Sequence, residues 1–197
     1  MKASEIAYRK IREMIMTTEL KPGQELHVPT LVEELELGKT PIREACNRLS
    51  YEGYIKILPR KGMLVSNLDV DDLDKLKDLR LYFVDFISKQ IILNSGKDEI
   101  KMIREKQEKL EHLEDTFMNC LMADVEYHET TYELCTNKFA EAMLKRNLYL
   151  SIRLMVMKRD LGVTLQSTKD DYEGLIRCIE NKDQAGLYQL LMEHITD

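Results

Sequence analysis

The chain has 197 residues, 44% hydrophobic and 32% charged, which is enough apolar material for one medium or two small folded cores. Four prolines, eight glycines and this balance exclude a long disordered region, and no apolar run approaches membrane-spanning length. The net charge of -6 is uneven: residues 1–67 hold eleven Lys/Arg against nine Asp/Glu, and the remainder eighteen against twenty-six.

A mildly basic head on an acidic body is compatible with local phosphate binding. No N-terminal signal sequence is visible, and the four widely spaced cysteines form no zinc or redox pattern. Buried free thiols in a reducing cytoplasm are the simplest expectation.

In the head, Ser4 caps a predicted helix through about Thr18, with Ile6, Ile11, Met14 and Ile15 inward. Lys21-Pro22-Gly23 stops it, and Gln24 to His27 is short enough for a small strand. A second helix runs from Pro29 or Thr30 to about Leu37, seated by Leu31, Val32 and Leu35 and broken by Gly38. A third follows from Thr40 to about Glu52, with Pro41 in its first turn, where the missing N–H costs nothing. Ile42, Ala45, Cys46 and Leu49 form its apolar face, while Lys39, Thr40, Arg43, Asn47 and Arg48 lie outside or beside that face. Tyr54 to Leu58 reads as a strand, Pro59-Arg60-Lys61-Gly62 as a basic bend, and Met63 to Ser66 as the partner strand. Three helices and a terminal hairpin describe a winged helix-turn-helix over residues 1–67.

Residues 68–197 have helical periodicity almost throughout. Helices are expected near Val70–Asn94, Lys97–Asn119, Met122–Cys135, Lys138–Leu161, Thr164–Glu180 and Asp183–Thr196, with breaks that include the Asn119-Cys120 neighbourhood and Gly162. About six helices without strands suggest an all-α antiparallel bundle. Leu144, Leu148, Ile152 and Met155 make one stripe, either core or dimer contact. Asp124 and His128 share a helix face and could grip one metal; an Asp–His hydrogen bond is the commoner outcome for such a pair.

Pro22–Gly23, the LVEEL of Leu31–Leu35, KTPIREACNRLSYEGYI and PRKGMLV together resemble the GntR family of bacterial transcription regulators in order and spacing. The resemblance places Lys39, Thr40, Arg43 and Arg48 at DNA contacts of the recognition helix, and Arg60, Lys61 and Gly62 on the wing. Salt bridging is the alternative for Arg43 and Arg48, and a solvated turn for Arg60 and Lys61. Thr40 is expected to be both cap and phosphate contact. Gly38-Lys39 stands where the family usually has Ser-Arg, and Glu36 where it usually has Gly.

The second domain resembles the FCD ligand-binding domain of the FadR-like branch in its short six-helix form. That resemblance makes Asp124, His128 and His194 metal ligands for a divalent ion, Zn or Ni. Tyr172 replaces the remaining ligand histidine, so the alternative is a metal-free cluster in which Tyr172 hydrogen-bonds to Asp124 or to an effector. Arg80 is expected to clamp an organic acid, with a salt bridge as the competing role, and Arg153 to line the cavity or meet an acid at an interface. The implied protein is a homodimeric repressor of an inverted-repeat DNA operator, controlled by a small carboxylate metabolite. The alternatives are an effector-independent regulator whose helical domain only dimerises and, with least support, a metal-dependent enzyme.

Overall fold

The computed structural model describes residues 2–69, 71–158 and 163–196. Two compact units emerge, Met1–Asp72 with Tyr149–Asp160, and Leu73–Leu148 with Leu161–Asp197.

The first unit contains helices α1 (Ala3–Met16), α2 (Val28–Leu35) and α3 (Lys39–Tyr51), with strands β1 (Glu25–Leu26), β2 (Ile55–Leu58) and β3 (Gly62–Val65). Ala7, Ile11 and Ile15 on α1 and Ile42, Cys46 and Leu49 on α3 are all buried, as i, i+4 spacing on facing helices requires. Each fully buried aliphatic side chain contributes about 1.5–3 kcal/mol, so this seam is the main support of α3.

The sheet has the order β1-β3-β2 and is antiparallel throughout, with Lys56 opposite Leu64 and Leu58 opposite Gly62. The wing turn closes with the Lys61 amide donating to the Leu58 carbonyl at 3.0 Å. Arg60 has φ +64° and Gly62 φ +107°; the second value belongs to a region that favours glycine.

Helix ends differ from the sequence expectation: Lys2, not Ser4, is the N-cap of α1, without a side-chain cap bond. Gly38, extended at φ -65° and ψ 156°, is the N-cap of α3, so Thr40 sits inside the first turn and is not the cap. Glu36 ends α2 in the left-handed conformation at φ 53°, a position where a Cβ is disfavoured.

The second unit holds α4 (Asp72–Asn94), α5 (Lys97–Lys109), a 3-10 turn (Leu110–His112), α6 (Phe117–Leu134), the first half of α7 (Lys138–Lys158), α8 (Leu165–Asn181) and α9 (Gln184–Thr196). The predicted single helix Lys97–Asn119 is broken. Leu113 turns extended, and Thr116 caps a new helix, its hydroxyl oxygen accepting from the Asn119 amide at 3.3 Å. The predicted start at Val70, end at Leu161 and break at Gly162 lie outside the described residues.

Helix α6 is buried on nearly every side, including Leu121, Val125, Tyr127 and Leu134. It also buries Asp124, His128, Thr130 and Thr131, polar groups that a core helix carries only with partners or a function. α8 packs against α5, α6 and α9. Tyr149–Asp160 groups with the first unit, so the later half of α7 is part of the head's core, where Ile152 and Leu154 are fully buried.

Candidate functional site

Two sets of residues stand out. On the head, α3 presents Lys39, Thr40, Arg43 and Asn47 to solvent, and Arg60, Lys61 and Gly62 form the exposed wing tip. An open groove of about 590 Å³ runs between α3 and the wing, lined among others by His27, Arg43, Asn47, Ile57, Pro59 and Arg60. Among the described residues its lining holds no carboxylate, and Glu25 lies 3.8 Å from His27 at its edge.

Arg48 is oriented otherwise. Its Nε donates to Glu52 Oε1 at 3.1 Å and its Nη1 to Glu5 Oε2 at 2.9 Å. The guanidinium carbon lies 3.6 Å from the centroid of the Tyr8 ring. Arg48 therefore ties α3 to α1, which is the salt-bridge alternative raised by its sequence position.

Arg153 is not with the other expected effector residues. It belongs to the first unit, is 2% exposed, and donates from Nη2 to the Ser66 carbonyl at 2.9 Å. Its guanidinium lies 5.7 Å from the Tyr54 ring centroid. Arg80 and Tyr172 fall in the second unit. An apolar run around a cation in sequence does not say which core receives it.

In the second unit, α6 supplies Asp124 and His128, α9 supplies His194, α4 supplies Arg80, and α8 supplies Asp171 and Tyr172. One ligand atom each from Asp124, His128 and His194 can be chosen within 4.8 Å of one another. His194 Nε2 lies 3.1 Å from Asp124 Oδ1 and 3.1 Å from His128 Nε2. The other ring nitrogen of His194 meets Asp171 Oδ2 at 2.8 Å. Arg80 reaches the His128 ring, with Nη2 3.2 Å from Nδ1.

Burial, with the Arg80 and His194 charges adding to it, pushes His128 well below the usual imidazole range. Burial also works against charge on His194, but hydrogen bonds to Asp124 and Asp171 prevail and raise it to about 9. Without a metal, then, His194 is the cationic ring at neutral pH and His128 the neutral one.

Aromatic rings enclose the pair. Tyr127 meets His194 edge-on at 4.7 Å between centroids, and Tyr132 stacks on His128 at 6.0 Å. Tyr172 is 1% exposed and packs edge-on against Tyr127 at 5.1 Å. Its hydroxyl makes no hydrogen bond to Asp124, which removes that expectation among the described residues. Among the described residues, buried Arg80 Nε and the Tyr127 hydroxyl have no hydrogen-bond partner, whereas the Tyr132 hydroxyl lies beside Arg80 and that of Tyr172 beside Thr130.

Tyr127 and Tyr132 carry no signal in the sequence that marks them as site residues. Asp171 stands beside Tyr172, where the family resemblance expects a glutamate before the ligand histidine.

A family profile described as bacterial regulatory proteins, gntR family, matches residues 3–65, and an FCD domain profile matches residues 85–197. The chain belongs to the gntR family and carries an FCD domain. It is similar to the uncharacterized HTH-type transcriptional regulator YdhC of Bacillus subtilis, 24% identical over 144 residues, 70% of this chain and 63% of that protein. The match thus spans less than two thirds of that relative. The gluconate operon transcriptional repressor of Bacillus subtilis is 24% identical over 203 residues, covering 98% of this chain and 81% of the relative. The solved structure of E. coli McbR/YncC shares the fold, with a TM-score of 0.69, 17% identity and coverage of 100% of this chain and 94% of that one. Families and relatives are regulators, which leaves the metal-dependent enzyme without support. Among the described residues, no helix is long and apolar enough to cross a membrane.

FCD domains commonly bind a metal, and the donor set fits one in part. A carboxylate and two imidazoles converge, with Asp124 Oδ1 3.1 Å from His194 Nε2. Asp171 is placed to hold His194 by its other nitrogen, as outer carboxylates do for metal-bound histidines. Tyr172 supplies a neutral phenol where the resemblance implies an imidazole, and the Arg80 charge opposes a second cation. The fit is therefore to three protein ligands.

Proposed function

We propose that this chain is a sequence-specific DNA-binding transcription regulator, a homodimeric repressor acting on an inverted-repeat operator. Residues 1–67 are the reading head; residues 68–197 pair the subunits and take a small organic-acid effector. The observation that carries the reading is the exposed face of α3, where Arg43 stands without an intramolecular partner among the described residues beside an open groove and a basic wing tip. Lys39 and Arg43 enter the major groove, and Arg60 and Lys61 add phosphate or minor-groove contacts.

In the FCD domain, Arg80 attracts the effector carboxylate, and the hydroxyls of Tyr127 and Tyr132, whose rings flank the histidine pair, give it hydrogen-bond partners. Asp124, His128 and His194 would hold a zinc or nickel ion, which when bound supplies a Lewis-acid contact for an anionic group. Asp171 fixes the orientation of His194 whether or not the ion is present. Effector binding acts by changing the populations of dimer geometries that fit DNA. The buried cluster of Arg80, Asp124, His128 and His194 favours this over a helical domain that only dimerises.

The test is Arg43→Ala in the full chain, with dimer mass measured alongside affinity for a duplex recovered by binding selection. Loss of specific affinity with an intact dimer is expected. An unchanged Kd counts against the assignment of α3.

A further inference from the structure

Arg80 lies in the bundle core at 5% exposure, and among the described residues it makes no salt bridge with a carboxylate. Its guanidinium meets the His128 ring instead, Nη2 lying 3.2 Å from Nδ1 and closer still to Nε2. The Tyr132 hydroxyl lies beside it, and Nε has no partner. A buried cation ordinarily sits against an anion, because an uncompensated charge is costly inside a core.

A guanidinium carries only N–H donors, so its contact with His128 needs a ring nitrogen with a free lone pair. A neutral imidazole has one such nitrogen and one N–H. His128 Nε2 faces the rest of the cluster, 3.1 Å from His194 Nε2 and 3.7 Å from Asp124 Oδ1. A metal ion shared by the three residues uses the one lone pair of His128 and leaves the proton on the other nitrogen. Whichever nitrogen the ion takes, the ring then offers Arg80 no acceptor.

We propose that Arg80 and a divalent metal compete for His128, so that the ion enters together with an organic anion that takes over Arg80. The inference rests on the reading of Asp124, His128 and His194 as a metal site and adds a coupling to it. Metal entry alone strands a buried guanidinium beside a second cation. A carboxylate relieves both charges: it accepts from the planar fork of Arg80, including the idle Nε–H, and offsets the ion. Metal and anion then raise each other's affinity by the same factor, as linkage requires. Such a site responds to the pair and not to metal supply alone.

The experiment measures zinc affinity of the full chain by competition against a chromogenic chelator, with and without acetate as the anion, at fixed ionic strength. The chains are the parent, Arg80→Met, Arg80→Lys and the double variant Arg80→Met with His128→Ala. Without acetate, Arg80→Met is expected to bind zinc at least about tenfold tighter than the parent, the scale on which residues around a metal alter its affinity. Arg80→Lys keeps a cation that only donates, so it should stay near the parent. Acetate should tighten zinc binding to the parent and leave Arg80→Met little changed.

Arg80→Met binding no tighter than the parent, a parent indifferent to acetate, or an equal acetate response in Arg80→Met overturns the proposal. The acetate series on the parent decides the matter even if Arg80→Met does not fold. If zinc binding by Arg80→Met is lost in the double variant, the metal reading stands whatever the outcome for Arg80. Zinc binding that survives His128→Ala overturns the metal reading itself, and the competition falls with it.

Discussion

Replacing Arg48 separates a structural tie from a DNA contact. The guanidinium bridges Glu5 on α1 and Glu52 at the end of α3, and lies over the Tyr8 ring. Tyr8 in turn donates to Glu52 Oε2 at 2.8 Å, so four side chains share one junction. The Arg48 side chain is 49% exposed, which screens both ion pairs. The Glu52 pair at i, i+4 contributes about 0.3–0.5 kcal/mol and the Glu5 pair up to about 1. The ring contact adds about 0.5–1 kcal/mol. These terms overlap, so Arg48→Met should destabilise the first unit by about 1–2 kcal/mol. Urea denaturation followed by circular dichroism, with hydrogen exchange on α1 amides, measures it. Operator affinity should change little at temperatures where the head stays folded. Unchanged stability, together with a large affinity loss and a salt slope shallower by about one, would refute this placement and return Arg48 to the DNA contacts.

Glu36→Gly should stabilise the first unit by about 0.5–1 kcal/mol, because the left-handed φ of 53° is easy for glycine and strained for glutamate; an equal or lower urea midpoint would contradict it. In metal-free protein the raised pKa of His194 has a definite sign: its stabilisation is complete below the ordinary value of 6.5 and is lost as pH rises through about 9. Asp171→Asn should flatten that dependence, and thermal melts between these pH values check it. Tyr172→His should tighten zinc or nickel binding by roughly tenfold or more, the scale on which site residues alter metal affinity. Competition against a chelator reads this, and an unchanged affinity means that position 172 does not reach the ion.

The parts of the fold governed by local periodicity were legible in the sequence. Ile42, Ala45, Cys46 and Leu49 fall inside as their spacing requires, and the wing follows from two short β-rich runs about a basic bend. The break between α5 and α6 was missed because apolar periodicity continues through Leu110, Leu113 and Phe117, while the deciding signal was a single cap at Thr116. Arg48 and Arg153 show a different limit. A charge read in sequence has no partner until distant segments meet; Arg48 finds Glu5 forty-three residues away, and Arg153 finds Ser66. The convergence of Asp124, His128 and His194 was expected from the family resemblance. The Asp171 contact that orients His194 bridges two helices, and no spacing rule on either helix reveals it.

The central claim is that paired heads read duplex DNA through α3. Selection of random duplexes by the full chain, followed by the mass of the complex, tests it most directly. The account predicts an inverted-repeat consensus, half-sites about one helical turn or a multiple apart, and two chains per duplex. Recovery of no consensus at physiological salt, or one chain bound to an asymmetric site, would contradict it.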